Sequence, residues 1–150
     1  MIQISHTLDK FMIQLRQLRP TLRDSLSDCT NISADIILKE IASYFPNGPG
    51  GVYAWADLKA STIALKKSIG MNNGILVRTG DLKGSFRKQK LGKYGYKVGT
   101  GIDYFKYHEN SRPGSRMFRP SLKPAAQYTL RKQEEEIEKF LVSTIKDVFK

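Results

Sequence analysis

The chain of 150 residues has one cysteine, few acidic residues in its middle and no long apolar run. The single cysteine, Cys29, excludes an internal disulfide bond and a metal site built from several cysteines. No apolar stretch approaches the roughly 20 residues that a membrane-spanning helix needs. The N-terminal sequence MIQISHTLDKFMIQL lacks a basic start followed by an apolar block, so it predicts no secretory signal. These features favour one domain over residues 1–150 in a reducing cytoplasm.

The sequence also lacks the residue patterns that common catalytic and cofactor sites need. His108-Glu109 is the one histidine–acid pair, and the other histidine, His6, lies far away along the chain. A zinc site needs at least three protein ligands. No G-x-S-x-G nucleophile elbow, phosphate-binding loop or dinucleotide motif occurs. We therefore predict that the protein is not an enzyme and holds neither a metal nor another cofactor.

The positive charge of the chain is concentrated in its middle. The net charge is +11, from 25 basic and 14 acidic residues. Residues 59–123 hold 15 Lys and Arg against three acids, a net of +12, whereas residues 1–58 and 124–150 carry −1 and zero. A basic surface attracts nucleic acid or acidic protein partners through salt-sensitive forces. The alternative is a solvated face that only keeps the protein soluble.

Apolar residues spaced three and four apart predict helices at both ends of the chain. The predicted helices cover residues 7–18, about 33–45, about 54–69 and a long amphipathic stretch from Pro120 onward. Pro20 is expected to end or kink the first helix near Leu18, because proline disfavours helical backbone in the residue before it. Gly70 is expected to end the third.

The middle of the chain predicts a small sheet. Two extended segments, Ser85–Leu91 and Tyr96–Thr100, are joined by the glycine-flanked residues 92–95, which is a hairpin pattern. Residues 104–109 are short and aromatic, and they favour neither helix nor strand. Residues 110–118 form a polar, basic loop. The sequence thus predicts an α+β fold: N-terminal helices, a small antiparallel sheet with a hairpin, and a long C-terminal amphipathic helix.

Several short motifs follow one another between residues 46 and 124. They are the loop PNGPGG, the tryptophan segment WADLKASTIALKK, the central motif ILVRTGDLKGSF, the hairpin end KVGT, the segment IDYFKYHEN and the segment MFRPSL, before the final helix. In this order they resemble the phage virion morphogenesis family, with its Mu G-like and tail-completion proteins, and are similar to siphophage minor tail or neck proteins. The positions that carry the resemblance are Trp55, Leu76, Thr79, Gly80, Leu82, Ser85, Gly99, Tyr104, His108 and Pro120.

The resemblance implies a structural protein of the virion head–tail junction. Such a protein is a ring-forming neck or tail-completion subunit, similar to a tail terminator, which joins the connector to the tail. Its partners are copies of itself in a ring of six or of neck symmetry, the connector or head-completion proteins, and the tail-tube proteins, with no membrane. It assembles in the bacterial host cytoplasm and can make non-specific contact with packaged DNA.

The basic loop of residues 110–119 is the expected contact region. Arg112, Arg116 and Arg119 are candidates to contact carboxylates of a partner or phosphates in the DNA channel, because guanidinium groups bind both in a two-pronged manner. The alternative interpretation is a small, basic, non-specific nucleic-acid-binding module of a mobile element. Basic residues beside aromatic ones, as in Lys93-Tyr94, are typical of such a surface.

Overall fold

The computed structural model describes residues 4–45, 47–71, 74–77 and 79–149. Its helices are α1 (Ile4–Tyr44), α2 (Ala60–Ser68), α3 (Asp81–Ser85), α4 (Phe105–Asn110), α5 (Leu122–Tyr128) and α6 (Leu130–Val148). Its strands are β1 (Arg87–Leu91) and β2 (Gly95–Gly99), and a short 3-10 turn covers Gly51–Tyr53. A long N-terminal helix, an antiparallel hairpin and a long C-terminal helix confirm the predicted α+β class.

Helix α1 is a single helix of 41 residues where the sequence predicted two. The predicted end at Pro20 is wrong, because Pro20 lies inside the helix. An interior proline costs about 3 kcal/mol, since it removes one backbone hydrogen bond. Packing offsets that cost: α6 lies along α1, and Phe149 contacts Phe11 on the far side of the proline. Pro20 itself is exposed, so water can solvate the carbonyl that lost its partner.

Helix α2 begins at Ala60, and the predicted start near Ala54 is wrong. The six residues before α2 are not helical, because Trp55 is held in place by distant parts of the chain. Its indole Nε1 donates a hydrogen bond of 3.0 Å to the Pro120 carbonyl. Its ring packs edge-on against Phe45, with the ring centroids 5.4 Å apart. These tertiary contacts override the helical spacing of the local sequence.

The predicted hairpin is confirmed, with a first strand two residues shorter at its start than the sequence indicated. The strands pair in register, with Lys88 opposite Val98 and Gln89 opposite Lys97. Successive side chains of a strand point to opposite faces. Val98 therefore lies on the face of the hairpin that packs against the core, whereas Gln89 and Lys97 point outward from the opposite face. The long C-terminal stretch is interrupted once, at Thr129 between α5 and α6.

The hydrophobic core lies at one end of the molecule. It joins the C-terminal half of α1 to the loops, the hairpin and α5, and its buried residues are Ile41, Tyr44, Phe45, Trp55, Ile75, Leu82, Phe105 and Ala125. In contrast, residues 10–24 of α1 and the whole of α6 have no fully buried side chain. We call residues 10–24 together with α6 the terminal helix pair. No helix in the described ranges combines the length and apolar character that crossing a bilayer requires.

Candidate assembly site

The glycine loop, the tryptophan segment and the Arg-Pro segment meet at Trp55. The indole bridges them, because it bonds to the Pro120 carbonyl and lies over Gly48. Gly48 has a φ of 88°, which residues other than glycine rarely adopt. A Cβ at this position would lie 2.7 Å from Trp55 Cγ. The position therefore requires glycine both for its backbone and for the approach of the indole. Three motif segments that are far apart in sequence thus form one buried unit.

The central motif fixes the base of the hairpin. Thr79 and Gly80 form a turn into short helix α3, with Gly80 at a φ of 92°. Leu82 points into the core and is 3% exposed. Ser85, at the end of α3, shares a hydrogen bond of 2.5 Å with the Thr100 hydroxyl just after β2. The spacing of the motif thus places Leu82 in the core and lets Ser85 bond to the residue that follows β2.

The remaining positions of the resemblance are spread between core and surface. Leu76 has a φ of 56° and packs beside the core, whereas Tyr104 is 49% exposed. Gly99 ends β2 opposite Arg87. Most motif residues therefore hold the scaffold together, and Tyr104 is the one with a largely exposed ring.

His108 closes the basic loop. Its carbonyl accepts a 3.0 Å hydrogen bond from the Arg119 amide, and its ring Nδ1–H donates to the Met117 carbonyl at 3.1 Å. The ring is buried. Burial lowers the pKa of His108, and the nearby Arg119 charge lowers it further, against the smaller opposing effect of the bond to Met117. His108 is therefore a neutral structural residue that ties both ends of the loop together at neutral pH.

We expect acid to weaken the fold through His108. An unfolded histidine titrates near 6.5, and the folded group titrates lower, so the unfolded state takes up the proton first as the pH falls. The stability that neutral His108 contributes should therefore be lost as the pH falls below 6.5. Thermal unfolding of the wild type and of His108→Gln over this pH range measures that loss. The melting temperature of the wild type should fall more steeply, and parallel curves would contradict this assignment.

Glu109 is a structural residue that the sequence reasoning treated only as a neighbour of the histidine. Its carboxylate accepts backbone N–H bonds from Ser121 at 2.8 Å, Leu122 at 3.2 Å and Lys123 at 2.9 Å. These amides belong to the first turn of α5, where helical amides have no partner within the helix. Glu109 thus caps α5 from a separate helix. The only sequence signal was a His-Glu pair shortly before an Arg-Pro motif.

We expect Glu109→Ala to lower the free energy of unfolding by about 2 kcal/mol, because it leaves amides at a helix start without their charged acceptor. Glu109→Gln keeps one acceptor oxygen and should cost about half as much. Urea unfolding measures both variants. Glu134→Ala, at an exposed position of α6, is the matched control. Equal unfolding midpoints for Glu109→Ala and this control would refute the capping role.

The three candidate arginines of the basic loop are not equivalent. Arg112 and Arg116 are exposed. Arg119 is partly buried, and its Nη2 makes a long 3.5 Å contact to the Ala56 carbonyl. Burial lowers the pKa of the Arg119 guanidinium. The loop therefore presents Arg112 and Arg116 to solvent, while Arg119 packs against the tryptophan segment.

No protein-family model, curated protein or solved structure matches this chain. Within the described ranges, no three His, Cys, Asp or Glu side chains are placed to hold a metal ion. The function is therefore argued from the surfaces and charges of the molecule itself, together with the motif order in its sequence.

The terminal helix pair exposes a large amount of apolar surface. Phe11, Met12 and Ile13 are 47%, 49% and 54% exposed. Consecutive helical residues point about 100° apart, so these three side chains face most directions around α1. Helix α6 can cover only one of those sides. On α6 itself, Leu130 and Val142 are also exposed. Large apolar side chains that are exposed at neighbouring positions in this way favour an interaction site.

Proposed function

We propose that this protein is a structural subunit of the head–tail junction of a tailed phage, which forms a ring and joins the connector to the tail. The observation that supports the proposal is the apolar surface of the terminal helix pair. Large apolar side chains that the single chain leaves exposed are stabilised when other elements cover them. Here the surrounding elements come from neighbouring subunits.

A closed ring needs two different surfaces on each subunit, because its contacts run head to tail. The terminal helix pair offers both. One lies on α1 around Phe11, Met12 and Ile13, and the other on α6 around Leu130 and Val142. Burying one such side chain fully contributes about 1.5–3 kcal/mol, so a few at each contact suffice to hold a ring.

The motif order of the sequence selects this kind of assembly over others. The residues that carry the resemblance mainly fix the scaffold, as in the contact of Trp55 with Pro120 and the loop closure by His108. That division leaves the terminal helix pair and the exposed Arg112 and Arg116 to contact neighbours. A rigid scaffold with exposed contact surfaces suits a part of a larger particle.

Native mass spectrometry and negative-stain electron microscopy of the purified protein, alone and with tail tubes, test the proposal. We expect closed rings of a single copy number, either free in solution or seated on the end of the tube. A protein that stays monomeric both alone and with tail tubes would contradict the proposal.

A further inference from the structure

The hairpin is the most one-sidedly charged part of the chain. Residues 82–102 contain six basic residues and no acidic one. Five of the basic side chains are exposed, and four of these lie on the hairpin: Arg87, Lys90, Lys93 and Lys97. None of these four forms an ion pair with an acidic side chain in the described part of the chain. Their charges are therefore available to an external anion.

The inner face of the hairpin is already used for packing. Lys88 Nζ lies 2.6 Å from the Asp35 carboxylate and 2.6 Å from Asn31 Oδ1, both on α1. The Thr30 hydroxyl donates a 2.5 Å hydrogen bond to the Tyr94 carbonyl in the turn. These contacts hold the ribbon against α1, so its outer face stays open to solvent.

The outer face carries a polar depression at the end of the hairpin away from the turn. Arg87, Gln89 and Lys97 line this depression of about 200 Å³ together with Gly99 and Gly101. A Cβ at Gly99 would meet no atom within 4 Å, so nothing stands over the backbone there. A Cβ at Gly101 would lie 3.8 Å from Arg87 Nη2, which places the guanidinium beside that open backbone. The depression thus has the side chains of Arg87 and Lys97 at its border, and the backbone of Gly99 and Gly101 is exposed within it.

We propose that this outer face of the hairpin binds the phosphodiester backbone of nucleic acid without sequence preference. Arg87 and Lys97 contact the phosphates, and Lys93 in the turn extends the contact. A guanidinium matches the geometry of a phosphate. A two-stranded ribbon is narrow enough to enter the major groove of duplex DNA.

The chemistry of the face favours a phosphate backbone over a protein partner. Lysine is depleted in protein interfaces, whereas Lys97 borders the depression here and the exposed Lys93 lies in the adjoining turn. Phosphates are bound by basic side chains largely through the release of counterions, which needs no apolar centre. The turn is also electropositive, since Arg23 Nε lies 3.0 Å from the Tyr94 hydroxyl and Lys93 Nζ lies over the Tyr94 ring. The binding face is formed by a single chain and does not depend on a ring.

Fluorescence anisotropy with a labelled mixed-sequence DNA duplex, measured across salt concentrations, tests the proposal. The wild type should bind with an affinity that falls linearly with salt on logarithmic axes. Arg87→Gln/Lys97→Gln removes two phosphate contacts, so the magnitude of that slope should fall by about two and the affinity by about tenfold or more. A labelled single strand shows whether the ribbon needs a groove or only phosphates.

A matched double variant separates the hairpin from general charge effects. Lys132→Gln/Lys146→Gln removes two exposed charges from α6. It should keep the wild-type slope. A wild type that does not bind either probe, a hairpin variant with an unchanged slope, or an equal loss in the α6 variant would overturn the proposal. All of these side chains are exposed, so circular dichroism should be the same for every variant.

Discussion

Trp55→Ala should lower the free energy of unfolding by about 4 kcal/mol, the largest effect that we expect from a single substitution. The indole fills the space between Gly48 and Phe45 and donates a hydrogen bond to the Pro120 carbonyl. Alanine leaves a cavity among three chain segments and a buried carbonyl without its donor. Trp55 is the only tryptophan, so urea unfolding should be followed by circular dichroism rather than fluorescence.

Two further substitutions separate the contributions at this position. Trp55→Phe keeps much of the ring volume and loses the Nε1–H donor, so it should cost about 1–3 kcal/mol. Val52→Ala, where the side chain is 81% exposed, should stay within about 0.5 kcal/mol of the wild type. If Trp55→Ala unfolds at the same urea concentration as Val52→Ala, the meeting of the three segments at the indole is wrong.

Met12→Asp/Ile13→Asp should prevent ring formation and leave the fold intact. Both side chains are about half exposed in the single chain, so the carboxylates are solvated in the monomer. In a ring, each contact loses the exposed half of two apolar side chains at about 1 kcal/mol apiece, which weakens association by about thirtyfold. Burial of the new charges at the interface adds to that loss. Native mass spectrometry should detect monomers.

The matched control for assembly is Val52→Asp, an equally polar change at an exposed residue outside the terminal helix pair. It should form the same rings as the wild type. Circular dichroism spectra should agree among all three proteins, and the monomeric variant should melt at a lower temperature because it lacks the stabilisation that association adds. Rings of normal copy number from Met12→Asp/Ile13→Asp would move the contact away from the terminal helix pair.

The elements that the sequence predicted well are those with local signals. The amphipathic spacing of α6 and the glycine-flanked turn between β1 and β2 identify a helix and a hairpin by themselves. The turn at Thr79 and Gly80 belongs to the same class, because glycine at a positive φ is a local preference. Residue type and spacing within about one turn were enough in each case.

The elements that it missed depend on distant contacts. Pro20 is a strong local stop, and the packing of α6 overrides it. Trp55 has helical spacing, and its bond to Pro120 keeps its segment out of α2. Glu109 looks like any surface acid until its carboxylate is placed beside the amides of α5. Each of these outcomes depends on residues more than ten positions away, which periodicity cannot detect.

The candidate contact residues could be predicted only in part. The sequence located the positive charge in the middle of the chain and favoured the loop with Arg112, Arg116 and Arg119. The fold turns Arg119 toward Ala56 and places Arg87 and Lys97 on an open strand face. Which face of a ribbon is open depends on the side that packs against α1. That side is set by contacts such as the one between Lys88 and Asp35.

The most direct test of the central claim is the location of this protein in assembled phage particles. Particles are purified from the bacterial host, the copy number is measured by quantitative mass spectrometry, and the protein is labelled at a tag for electron microscopy. We expect a fixed, small copy number and label at the junction between head and tail. Particles that contain none of this protein, or that carry the label elsewhere, would contradict its assignment as a junction subunit.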